Sequence, residues 1–209
     1  MLCAFHSARV DRPPIPLHVV SWCTDACPSL VLNDFEPSVS IHLSYPLKHK
    51  FVRLGNSIKP KHVGSQPDFE ICDSEPMPSR TLKSNGTYVL ALTDPDATSR
   101  SDPSKAQMCH WIVTNITVPS SAPVTLDSPG LRRAGPKDLI EYLPPTPPPK
   151  TGYHRYVFVV LTSESDKEVK QKKPKDRPHW GYGRIGAGVR EWAEENGLVV
   201  VGGWTIKVA

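Results

Sequence analysis

The sequence predicts a mostly β protein, a β-rich sandwich whose strands join through Greek-key-like connections. Three observations lead there. Short runs of β-branched and aromatic residues recur, as at Thr87-Tyr88-Val89-Leu90-Ala91-Leu92 and Tyr153-His154-Arg155-Tyr156-Val157-Phe158-Val159-Val160-Leu161, and such residues suit a pleated, half-buried surface. The chain carries 23 prolines in 209 residues, which constrain loops and argue against a helical bundle. Helical spacing is confined to short stretches, the clearest being 189–196, where Val189, Trp192 and Ala193 share one face and Gly197 is placed to end the turn.

The first strand signal is Leu30-Val31-Leu32, followed by 39–45, where apolar and polar residues alternate with the period of a half-buried sheet until Pro46 stops them. Residues 51–69 hold Gly55, Pro60, Gly64 and Pro67 and read as turns with brief extended pieces. Residues 71–84 are rich in Pro and Ser and read as a surface loop. A strand over 87–92 breaks at Thr93-Asp94-Pro95-Asp96 and another begins at His110. After a loop over 119–137, residues 138–142 suit a short turn or strand, and Pro144-Pro145-Thr146-Pro147-Pro148-Pro149 favours a stiff polyproline spacer. The strand over 153–161 puts His154, Tyr156 and Phe158 on one face and Arg155 on the other. Lysine-rich 163–177 reads as a solvated segment. Gly181-Tyr182-Gly183-Arg184-Ile185-Gly186 matches a dinucleotide fingerprint in letters only, because no strand precedes it. A final strand covers 198–206.

Length suits one domain, expected over 29–209, after a poorly ordered extension at 1–28. The formal net charge of +4 is modest and dispersed, so it calls for no nucleic acid partner. No apolar run reaches the roughly 18 residues of a transmembrane segment. Five cysteines, an odd count with Cys23 and Cys27 lacking a second ligand pair, point to free thiols in a cytoplasmic protein and to no metal site. Residues 1–20 lack a secretory apolar core.

Asp94, Asp96, His110, His154 and Tyr156 all fall at strand ends or beside breaks. Three uses are open to them. Two histidines and a carboxylate could hold a metal, although no H-x-E or H-x-x-x-H spacing is present. A histidine and a carboxylate could serve a nucleophile, although no serine or cysteine sits in an elbow, and Cys109 points away from its neighbour His110 on an alternating strand. The third use, favoured by the chemistry, is an anion pocket. Imidazoles and a tyrosine hydroxyl donate to phosphate or carboxylate, while the aspartates orient the imidazoles and favour their protonated form.

At these residues the sequence resembles the phosphatidylethanolamine-binding protein family. The resemblance rests on Thr93-Asp94-Pro95-Asp96-Ala97-Thr98-Ser99-Arg100, on Cys109-His110-Trp111, and on Pro148-Pro149-Lys150-Thr151-Gly152-Tyr153-His154-Arg155-Tyr156-Val157-Phe158. Asp34-Phe35-Glu36-Pro37-Ser38 and Leu54-Gly55-Asn56-Ser57-Ile58-Lys59-Pro60 agree with it, and 180–197 is most similar to fungal members related to carboxypeptidase Y inhibitors. The resemblance implies a large central antiparallel sheet, a second smaller sheet and short peripheral helices around an anion-binding cavity. It implies that Asp94, Asp96, His110, His154 and Tyr156 bind the ligand, with Pro148 and Pro149 on the wall and Arg155 supporting the aspartate loop. Expected ligands are phosphate, phosphoethanolamine or a carboxylate, with no cofactor. The expected role is a non-catalytic binding and regulatory one, including inhibition of a serine carboxypeptidase. The alternative is an accessory protein or enzyme of fungal secondary metabolism that couples anhydride or carboxylate substrates beside a biosynthetic enzyme, with His110 or His154 as base. Three departures stand out. Thr98 replaces a proline, so a cis bond is expected to be lost. Cys109 adds an oxidisable group beside the pocket. The tail after Gly197 differs from the usual fungal ending.

Overall fold

The protein is described here by a computed structural model, which covers residues 31–33, 35, 37–46, 50–51, 54–73, 87–117, 137–163 and 170–209. The expected extension at 1–28, the loops at 74–84 and 119–136, and residues 164–169 lie outside the described residues.

Among the described residues, nine strands form two sheets. They are β1 (Val39–Tyr45), β2 (Lys50–Phe51), β3 (Ser57–Ile58), β4 (Asp68–Asp73), β5 (Thr87–Asp94), β6 (Met108–Thr117), β7 (Lys137–Ile140), β8 (His154–Ser163) and β9 (Leu198–Val208), with one helix, α1 (Val189–Glu195), before the last. The small sheet runs β2-β1-β4 and the large one β3-β9-β8-β5-β6-β7. Every pairing is antiparallel except β3 with β9. Within the large sheet β8 returns to lie beside β5, outside the β5-β6-β7 meander, which is the Greek-key arrangement.

Alternation on β1 explains the packing of the two sheets. Val39, Ile41, Leu43 and Tyr45 are buried against Leu90, Leu92, Trp111, Phe158 and Ile206 of the large sheet. The opposite face of the large sheet buries Val89, Ala91, Ile112, Val159 and Leu161 under Val31, Leu32, Trp180, Val189 and Trp192. Strands β5 and β8 are therefore covered on both faces, and this is why they read as nearly continuous apolar runs. The sheets approach closely at Gly202, where an added Cβ would lie 2.7 Å from the Val39 carbonyl oxygen. Nearby, β9 bulges between Gly202 and Val200, and the Val201 carbonyl there accepts a 2.9 Å hydrogen bond from Ser38 N–H.

Several expectations need correction. Val31 and Leu32 are buried but form a turn and a coil rather than a strand, and Leu30 lies outside the described residues. Residues 68–73 form β4, and Ile71 to Asp73 are strand instead of surface loop. Phe69 and Ile71 point into the core while Asp68 and Glu70 do not, so the acidic residues simply mark the outer face. Residues 138–142 resolve as β7 followed by coil, and the last strand extends to Val208. The Ala97–Thr98 peptide is cis although Thr98 is not proline.

The segment at 170–178 carries no helix or strand and packs along α1. The Asn196 side chain accepts from Lys172 N–H at 2.7 Å, and Trp192 Nε1 donates to the Lys172 carbonyl at 2.7 Å. The glycine-rich stretch that mimics a dinucleotide fingerprint is the connection into α1. No strand leads into it, and Gly188 N–H donates to Glu191 Oε2 at 2.8 Å to close the first helical turn.

Candidate functional site

Asp94 is the last residue of β5, and Pro95 turns the chain immediately after it. Its carboxylate is 2 % exposed and is held by three donors. Asp96 N–H reaches Oδ1 at 2.7 Å, His154 Nδ1 reaches Oδ2 at 2.9 Å, and the Tyr156 hydroxyl also bonds the carboxylate. His154 and Tyr156 lie two residues apart on β8 and so share a face, with their rings stacked at 6.4 Å. Burial first, and then the negative charge of Asp94, push the Tyr156 hydroxyl far above its ordinary range, so it acts only as a neutral donor.

Strand register explains how His110 joins them. Leu92 pairs with Trp111 while Thr93 pairs with Cys109, so β6 advances two residues against one of β5 and His110 is the extra residue of a bulge. The bulge turns His110 onto the face of Tyr156, with the rings edge to face at 5.1 Å. His110 Nδ1 donates to the Leu143 carbonyl at 2.8 Å. Nε2 has no hydrogen-bond partner among the described residues. Burial lowers the His110 pKa below its ordinary 6.5 and outweighs the opposing pull of the Leu143 carbonyl and Asp94. The aspartates thus do not hold this imidazole in its protonated form.

His154 is engaged at both ring nitrogens, with Nε2 lying 3.0 Å from Thr151 Oγ1. That hydroxyl has a single proton, which it donates to the Pro148 carbonyl at 2.7 Å. Nε2 thus meets a hydroxyl that is also bound to the Pro148 carbonyl, while Nδ1 faces the Asp94 carboxylate. Thr151, in the turn after Pro148 and Pro149, thus covers the ring nitrogen that faces away from Asp94. Both prolines are exposed.

Asp96 and Arg155 point away from this cluster and toward each other. Arg155 N–H and Nε both reach Asp96 Oδ2 at 2.8 Å, and the second guanidinium nitrogen bonds Oδ1. Burial would raise the Asp96 pKa, but the Arg155 hydrogen bonds and charge outweigh it and hold the carboxyl below 3.8. The pair locks the turn that presents Asp94, and Asp96 orients no imidazole because its acceptor sites are taken up by Arg155.

Cys109 lies on the opposite face of β6 within the second core cluster, with no exposed surface. Burial pushes its thiol up to about 12. It is therefore not an oxidisable group beside the site, because Cys109 and His110, as neighbours on a strand, face opposite sides of the sheet. No group of three His, Cys, Asp or Glu side chains among the described residues is arranged to hold a metal ion.

Three contributors are absent from the sequence-based set: Leu143, Thr151 and Arg177. Arg177 belongs to the segment read as merely solvated. Its guanidinium donates to the carbonyls of Cys109 and His110 at 3.1 and 3.2 Å and to that of Glu141 at 2.9 Å, and Cys109 N–H donates back to the Arg177 carbonyl at 2.9 Å. The bulge is pinned from both sides by one residue. No sequence signal marks it, since its partners are main-chain carbonyls distant along the chain.

Fold and cluster together define a protein of the phosphatidylethanolamine-binding class. The family model for phosphatidylethanolamine-binding proteins matches residues 48–203, and the chain belongs to that family. Among curated relatives, the carboxypeptidase Y inhibitor of Saccharomyces cerevisiae is 31% identical over 187 residues, spanning 82% of this chain and 85% of the inhibitor. CEN-like protein 1 of Nicotiana tabacum is 30% identical over 192 residues, covering 92% and 88% of the two chains. Among solved structures, carboxypeptidase Y inhibitor complexed with its cognate proteinase superposes with a TM-score of 0.74 at 28% identity, over 87% of this chain and 89% of that one. A phosphatidylethanolamine-binding protein from Plasmodium vivax shares the fold with a TM-score of 0.59 at 20% identity, covering 84% and 87%. No helix among the described residues is long and apolar enough to cross a membrane.

Proposed function

We propose that the chain is a non-catalytic regulator that binds a small anion, phosphate or carboxylate, free or on a phospholipid head group, at the Asp94, His110, His154 and Tyr156 cluster. Its protein partner is a serine carboxypeptidase. The observation that carries the anion reading is His110 Nε2, without a partner among the described residues and close to the His154 ring, whose Nε2 meets only the Thr151 hydroxyl. An anionic oxygen placed between the rings would take His110 Nε2–H once that ring is protonated, and would take His154 Nε2–H if Thr151 turned aside. Asp96 and Arg155 keep the turn rigid, and Pro148 and Pro149 carry the wall that ends at Thr151. Support for the partner comes from the similarity to the carboxypeptidase Y inhibitor, a protein solved in complex with its cognate proteinase. The odd thiol count supports a cytoplasmic setting.

Calorimetric titration with phosphate, phosphoethanolamine and succinate tests the anion reading. His110→Ala is expected to weaken binding by about 1.5–3 kcal/mol, roughly tenfold or more. Thr151→Ala is expected to tighten it a few-fold, because Nε2 of His154 is uncovered. Sulfate, whose charge is constant over the range, is expected to bind more tightly as pH falls below 6.5, since His110 must take up a proton that burial otherwise denies it. Equal affinity in wild type and His110→Ala for all the anions would sink the anion reading. Failure to inhibit carboxypeptidase Y at any anion concentration would remove the partner. Turnover of an anhydride or dicarboxylate would reassign the cluster to an enzyme.

A further inference from the structure

The strand farthest from β7 has a free side. β3 is the outermost strand of the large sheet and pairs only with β9, so its other edge has no strand neighbour among the described residues. Beside it lies a groove of about 570 Å³ lined by Ser57, Ile58, Lys59, Lys61 and Tyr153. Through Ser57, Ile58 and Lys59 it continues into a recess of about 160 Å³ that reaches Asn56 and His62. We propose that this groove docks an extended, acidic peptide segment of a partner protein, independently of the anion cluster.

Four features specify that occupant. The edge strand offers main-chain groups that an extended peptide can pair with, as in strand addition to a sheet edge. Lys59 and Lys61 are exposed, and among the described residues no Asp or Glu side chain lines either recess, so the side-chain charge of the groove is positive even beside Ala209. The recess also reaches Asn56, whose side-chain oxygen is buried without a hydrogen-bond partner among the described residues and would accept a peptide N–H only after the side chain turns outward. Tyr153 is 56% exposed and, although next to His154 in sequence, lines the groove instead of the cluster. Such an exposed aromatic supplies contact area at low entropic cost. Two lysines beside an aromatic fall short of the basic stripe that a nucleic acid backbone needs, and the remaining charge of the chain is dispersed.

The probe is a fluorescein-labelled hexapeptide of alternating Glu and Val, with alternating Lys and Val as its counterpart, read by anisotropy on the full chain. The acidic peptide is expected to bind at least about tenfold more tightly than the basic one, with the difference shrinking as salt is raised to ~0.15 M. Lys59→Glu combined with Lys61→Glu is expected to abolish the preference while leaving the melting curve in place, because both side chains are exposed. Should that pair lower the melting temperature, Lys59→Gln with Lys61→Gln serves, with at least a several-fold loss expected. Saturating phosphate is expected to displace no more peptide than sodium chloride of equal ionic strength. Equal binding of the two peptides, or unchanged affinity in the glutamate and glutamine variants, overturns the proposal. Displacement specific to phosphate overturns it too, since the peptide carboxylate would then occupy the anion cluster.

Discussion

Asp94 and Asp96 are two residues apart and have different tasks, decided by which side of the turn each faces. Asp94 collects His154, Tyr156 and a main-chain donor, whereas Asp96 is taken up by Arg155. Removing the Asp96 charge takes its carboxylate partner from a buried guanidinium, so Asp96→Asn is expected to cost about 3–5 kcal/mol at neutral pH by denaturant unfolding. The sign of its pH dependence follows from the depressed folded-state pKa. The carboxylate's contribution is complete above the ordinary value of 3.8 and is lost as pH falls through the lower folded value. The gap between wild type and Asp96→Asn should therefore narrow in acid below pH 3.8; a constant gap would show that the pair contributes nothing through ionisation. At this scale the sequence placed Asp94, His154 and Tyr156 at strand ends or beside breaks, and the family resemblance implied that they share one site. It did not reveal that Thr151 would cap His154, because that contact depends on where a hydroxyl proton goes within one turn.

At the scale of elements, the β6 bulge and the 170–178 segment form one device. The bulge re-aims His110, and Arg177 ties the bulged carbonyls to Glu141. Arg177→Met is expected to destabilise the fold by about 1–3 kcal/mol, the range for orphaned acceptors. It should also raise the pKa of His110, because the guanidinium charge is one of the groups that hold it down. Both effects are readable by denaturant unfolding and by an NMR titration of the imidazole. Arg177→Lys should not rescue them, since one ammonium cannot reproduce a planar fork over three carbonyls. An unchanged His110 titration would show that Arg177 acts on the backbone alone. Strands β1, β5, β6, β8 and β9 and helix α1 were legible from periodicity. β4 was not, since Pro67 and the Pro/Ser-rich residues after it masked an alternation that Phe69 and Ile71 keep. The bulge was not legible either, because a register is a relation between two strands.

Across the whole molecule, the large sheet is the frame, buried on both faces, and the small sheet closes one of them. Their contact leaves no room at Gly202, where a methyl group would meet the Val39 carbonyl. Gly202→Ala is expected to destabilise by about 1–3 kcal/mol, the usual cost of overpacking, with a matching loss in melting temperature. Retention of full stability would mean that the two sheets can slide apart at that point. The atypical tail after Gly197 illustrates the division between sequence and structure. Its β-branched residues marked a strand, yet they gave no sign that this strand would sit between β8 and β3 and align Val208 with His154. What the sequence by itself determined was composition, strand periodicity and the residue types at strand ends, all of which are local and set by side-chain chemistry. The tertiary structure decided the Greek-key order, the register that produced the bulge, the hydrogen bonds between Asp96 and Arg155 and the outermost place of β3 among the described strands. Each of these is a contact between residues far apart in the chain, chosen by which faces can be buried together.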